Sequence, residues 1–81
     1  MSKCEKLLEK AKNSPANISF TEVCKLAVCY GWIFIRQSGS HHIYEHPDLD
    51  VSQGRFQNFQ DDRGKAKPYQ VKQLLAAIEN L

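Results

Sequence analysis

From residue 3 to residue 12, Cys4, Leu7, Leu8 and Ala11 recur at helical spacing among lysines and glutamates, and Asn13, Ser14 and Pro15 end the pattern. This predicts a short amphipathic helix. Ser19 and Glu22 then have the S-x-x-E spacing of a capping box, with Ile18 and Val23 placed as a hydrophobic staple, so a second helix is expected from about Phe20 to Tyr30 and Gly31 is its stop. The run WIFIRQ, the turn residues Ser38 and Gly39, and SHHIYEH predict a β-hairpin ended by Pro47. DLDVSQG reads as a polar loop and RFQNFQ as a third strand. Beyond DDRGKAK, Pro68 suits the first position of a last helix, in which Val71, Leu74, Leu75 and Ile78 fall at i, i+3, i+4 and i+7.

The order α-α-β-β-β-α implies an α+β fold, with helices on one face of a three-stranded antiparallel sheet and the other face partly free for a partner. Strand alternation puts His41, Ile43 and Glu45 on one side and His42, Tyr44 and His46 on the other. By the same rule Trp32 and Phe34 share a face and anchor the core. Arg36 falls on their side, where it could pair with Glu45 or Asp62 or approach a phosphate.

Eighty-one residues make one domain, and 42% hydrophobic with 25% charged residues is ordinary for a folded chain. The N-terminal MSKCEKLLEKAK lacks the apolar run of a signal peptide or membrane span, so a cytoplasmic location without membrane contact is expected. Cys4, Cys24 and Cys29 show no C-x-x-C spacing and read as reduced thiols packed in helices. The net charge of +2 argues for no partner by itself. From Arg63 to Lys72, however, RGKAKPYQVK holds Arg63, Lys65, Lys67 and Lys72 with no acid among them.

Three histidines within six residues raise the question of chemistry, because imidazole titrates near neutrality and suits proton transfer or metal ligation. A strand that splits its histidines between two faces does not converge ligands on a metal, and none is expected. A single accessible histidine suffices for acid–base cleavage of RNA, contributing about 10²–10⁴-fold. The same residues also fit ordinary half-buried strand positions beside a turn. The lysine loop, leading into a helix N-terminus, reads either as a phosphate site or as a solvated surface. Tyr69 and Lys72 lie opposite the apolar stripe of that helix, where Tyr69 could stack on a base or cap the loop.

The series G-W-x-x-x-R-Q-x-G-S-H followed by H-I-Y-x-H-P, carried by Gly31, Trp32, Arg36, Gln37, Gly39, Ser40, His41, His42, Ile43, Tyr44, His46 and Pro47, resembles the HicA family of toxins. These are small ribonucleases of type II toxin–antitoxin systems. The stretch NFQDDRGKAKPYQVKQLL is similar to one subgroup of that family, and the likeness spans roughly residues 19 to 81. It implies a fold similar to a double-stranded RNA-binding domain, α-β-β-β-α, over residues 18–81, with residues 1–17 an added N-terminal helix and linker. It further implies cleavage of mRNA without a cofactor, with His41, directly after G-S, as the catalytic group. His42 is a second candidate, since some relatives carry the histidine one place later. The RNA contacts it suggests are Arg36, Ser40, Arg63, Lys65, Lys67, Tyr69 and Lys72. The implied partner is a HicB-type antitoxin, and no DNA binding is expected of this chain alone. Asn58, Phe59 and Gln60 depart from the family pattern, in which most members have a proline and a further histidine at the end of the third strand. The alternative function, from another class, is a non-catalytic RNA-binding module of the same fold.

Overall fold

The computed structural model describes residues 2–81. Helix α1 (Lys3–Asn13) leads through a 3-10 turn at Pro15–Asn17 to α2 (Phe20–Cys29). Strands β1 (Ile33–Ser38), β2 (His41–Glu45) and β3 (Phe56–Gln60) follow, and α3 (Pro68–Ile78) closes the chain. The three strands form one antiparallel sheet in the order β1-β2-β3. The expected α+β class holds: an α-β-β-β-α core preceded by one extra helix.

Local chemistry sets each boundary. Ser19 Oγ accepts from the Glu22 N–H at 3.0 Å while Glu22 Oε1 accepts from the Ser19 N–H at 3.0 Å, so the capping box is complete in both directions. Ile18 and Val23, the staple pair, are both buried beneath it. The last turn of α2 closes at Gly31, whose φ of +104° is open to glycine at little cost.

Gly31 is required for a second reason: a Cβ there would meet His46 Nε2 at 2.6 Å. His46 is buried and uses both ring nitrogens. Nε2–H donates to the Tyr30 carbonyl at 3.0 Å, and Nδ1 accepts from the Asp48 N–H at 3.1 Å. Trp32 stands edge-on to that ring, with centroids 4.7 Å apart, and its indole N–H reaches the Gly54 and Arg55 carbonyls. Gly31, Trp32 and His46 therefore lock the end of α2 to the loop between β2 and β3.

The core lies between the helices and one face of the sheet. Trp32, Phe59, Leu26, Leu74, Val23 and Val71 are its largest fully buried side chains, each contributing about 1.5–3 kcal/mol by leaving water. Phe59 and Tyr44 point inward from the sheet, while Phe56 and Asn58 point outward.

Two expectations are corrected here. Trp32 anchors the core, but it precedes β1, and Phe34 remains 49% exposed. β1 is an edge strand that the helices only partly cover, so Phe34 packs on Tyr44 with its outer side in solvent. The cysteines are not all reduced: Cys4 of α1 and Cys29 of α2 are disulfide-bonded, with Cα atoms 5.8 Å apart. The packing of α1 on α2 makes this pair, and a separation of 25 residues hid it from the sequence. Cys24 alone is free, and burial pushes its thiol up, which keeps it protonated.

Candidate functional site

The outward face of the sheet carries His41, Ile43 and Glu45 on β2, and Phe56, Asn58 and Gln60 on the neighbouring β3. His41 begins β2 immediately after the turn at Gly39 and Ser40. Its Nδ1 lies 3.0 Å from Oδ1 of Asn58. An amide oxygen can only accept, so Nδ1 carries the hydrogen and the lone pair of the neutral ring is on Nε2. Arg36, Gln37, Ser38, His41, Ile43 and Asn58 line an open groove of about 530 Å³ on this face.

Arg36 reaches that groove because β1 is irregular. Phe34 pairs with Tyr44 but Arg36 pairs with Ile43, so a bulge at Ile35 breaks the alternation and turns Arg36 to the histidine side. This corrects the expectation that Arg36 shares a side with Trp32 and Phe34. The acids proposed to hold it are engaged elsewhere: Glu45 pairs with Arg55 at 2.7 Å, and Asp62 with Lys67 at 3.4 Å and Arg63 at 3.6 Å. Among the described residues Arg36 has no ion-pair partner, so its guanidinium faces the groove uncompensated.

The basic loop adjoins the same end of the sheet. The Asp61 N–H donates to the Ser40 carbonyl at 3.0 Å, tying the start of the loop to the hairpin turn. The N-terminus of α3 is held to the end of β3 by Gln70 Oε1, which accepts from the Gln60 N–H at 2.8 Å. Arg63 and Lys65 are exposed, and Lys67 is half-buried beside Asp62. Among the described residues, no three His, Cys, Asp or Glu side chains come together to hold a metal ion.

The family described as HicA toxin of bacterial toxin–antitoxin systems matches residues 20–79. The chain belongs to the HicA toxin family. Toxins of this family act within toxin–antitoxin systems, which implies a cognate antitoxin. No curated protein and no solved structure shows a match.

On the HicA pattern, the fold separates residues that look alike in sequence. Gly31, Trp32 and His46 are structural, as described above. His42 points to the helix side, with its ring 4.7 Å from Phe20 and 6.2 Å from Phe34, and its Nδ1 is buried without a hydrogen-bond partner. It lies across the sheet from the groove that holds His41. Tyr69 and Lys72 are exposed on α3 and do not line that groove.

Asn58, by contrast, appeared in the sequence only as a departure from the family pattern. The alternation of RFQNFQ, with Phe59 inward, puts Asn58 outward. The β2–β3 register that sets it beside His41 was not readable from that alternation.

Proposed function

We propose that this toxin is a metal-independent endoribonuclease that cleaves mRNA on the open face of its sheet. The observation that carries the reading is His41: a ring fixed at Nδ1, with its Nε2 lone pair available in a groove that Arg36 makes positive. In this reading Nε2 takes the proton of a ribose 2′-hydroxyl. The O2′–P bond forms as the P–O5′ bond breaks, leaving a 2′,3′-cyclic phosphate, and the departing 5′-oxygen takes a proton from solvent. Arg36 stabilises the charge that builds on the phosphoryl oxygens. Ser40, Arg63, Lys65 and Lys67 flank the hairpin end and hold neighbouring phosphates, with Tyr69 and Lys72 extending the contact along α3.

A HicB-type antitoxin neutralises the toxin by covering the His41 groove. The face is open on this chain, so a protein seated on it excludes RNA directly.

The test is incubation of purified protein with an unstructured RNA in EDTA. Wild type is expected to cleave it, and His41→Ala is not, while keeping the same circular dichroism spectrum. If neither protein cleaves but both bind RNA, and Lys65→Ala with Lys67→Ala weakens that binding and flattens its salt dependence, the chain is a binding module instead.

A further inference from the structure

We propose that Asn58 is a positioning residue for the reaction, holding His41 in the tautomer whose free nitrogen faces the RNA; this rests on the nuclease reading above. The hydrogen bond from His41 Nδ1 to Asn58 Oδ1 spans β2 and β3, joining a residue opposite Gln60 to one opposite Ile43. Oδ1 can accept from the neutral ring and, more strongly, from the imidazolium, because Nδ1 carries a hydrogen in both. A proton can therefore arrive at and leave Nε2 without the ring turning or exchanging partners.

The alternatives nearby do not serve. Glu45, on the same strand face as His41, is held by Arg55, and its Oε2 lies 2.7 Å from the guanidinium Nε. Gln60, directly across from His41, is half-buried, and its backbone N–H is bound by Gln70. A neutral amide also avoids the fixed negative charge that a carboxylate would place beside an incoming phosphate. The other charged groups around this end of the face are Arg36 on β1, Asp61 just beyond β3, and Asp62, Arg63, Lys65 and Lys67 of the adjoining basic loop, in which Asp62 pairs with Lys67 and Arg63. Asp61 Oδ1 accepts from the Gly64 N–H.

The experiment is nitrogen-15 NMR of the His41 ring at a pH where it is neutral, alongside single-turnover cleavage. Wild type is expected to show a protonated Nδ1 and a bare Nε2. Asn58→Ala should move the ring toward the opposite tautomer and slow cleavage about 10–100-fold, with RNA affinity within about twofold of wild type. Asn58→Asp should keep the wild-type tautomer and shift the acid limb of the rate profile upward by about one pH unit or more. A nitrogen pattern unchanged in Asn58→Ala overturns the proposal, whatever happens to activity. A tautomer lost in Asn58→Ala with no RNA cleavage by wild type overturns the nuclease reading instead and leaves the Asn58 hold on the ring standing.

Discussion

Arg36 stands across from Ile43 of β2, although Phe34, two residues earlier, stands across from Tyr44 on the opposite face. One extra residue in β1 therefore decides whether the guanidinium meets the helices or the histidine groove. With no acid paired to it, Arg36 has its full charge to offer a phosphate, and a charge-assisted hydrogen bond of this kind is worth about 1.5–3 kcal/mol. Arg36→Gln is expected to lower RNA affinity or cleavage about 10–100-fold, with an unchanged unfolding midpoint. The slope of log affinity against log salt should also flatten by about one. Binding titrations at several salt concentrations check both.

His41 and His42 are neighbours in sequence with opposite expected phenotypes. His41→Ala should lose at least about 10²-fold in cleavage and almost nothing in stability, because its ring faces a solvent groove. His42→Ala removes a ring packed on Phe20, so it should cost roughly 1–2 kcal/mol in urea unfolding while cleavage persists. Measuring both properties on both variants tells the two roles apart. Equal loss of activity with intact stability would contradict the assignment.

The contrast marks where the sequence was legible. Periodicity and caps announced the three α-helices and three strands of the described residues, because those signals are local: the box at Ser19 and Glu22, the stop at Gly31, the proline opening α3. Alternation also split His41 and His42 between faces correctly. What it could not supply was anything that depends on one element meeting another. The bulge at Ile35 adds a residue without changing the apolar character of WIFIRQ, so Arg36 was placed on the wrong side. The partner of His41 depends on the offset between β2 and β3, and the Cys4–Cys29 bond on how α1 lies against α2. The apparent absence of acids around the lysine loop was likewise a matter of where a window ends: Asp62, one residue upstream, folds back onto Lys67.

The disulfide joins the added helix to the family core, and its removal should separate stability from activity. Closing a loop of 25 residues restricts the unfolded chain by about 3.5 kcal/mol. Cys29 is exposed, so a thiol reductant has access to the bond. Reduction, or Cys4→Ser with Cys29→Ser, is expected to lower the urea unfolding free energy by about 2–4 kcal/mol. Cleavage below the melting transition should stay the same, because the bond lies on the helix side, away from the His41 groove. Denaturation curves with and without reductant check the first expectation, and initial rates check the second.

A pH-dependent link ties α1 to α2 as well. Lys10 Nζ donates to Glu22 Oε2 at 2.7 Å, and this bond, followed by the one from the Ser19 N–H, holds the Glu22 carboxyl below its ordinary value of 4.5. A carboxyl depressed in the folded state adds stability above its unfolded value, and that stability fades as pH falls through the folded value. Glu22→Gln isolates the charge, since glutamine at this position still completes the capping box. At neutral pH the variant should be less stable than wild type, by an amount that added salt reduces because Lys10 is half-exposed. Below about pH 4.5 the gap should narrow, and it should close once the folded-state carboxyl is protonated. Urea midpoints for both proteins across an acid series measure this directly. A gap that stayed constant into acid would mean that Glu22 acts through packing or capping alone, with no contribution from its charge.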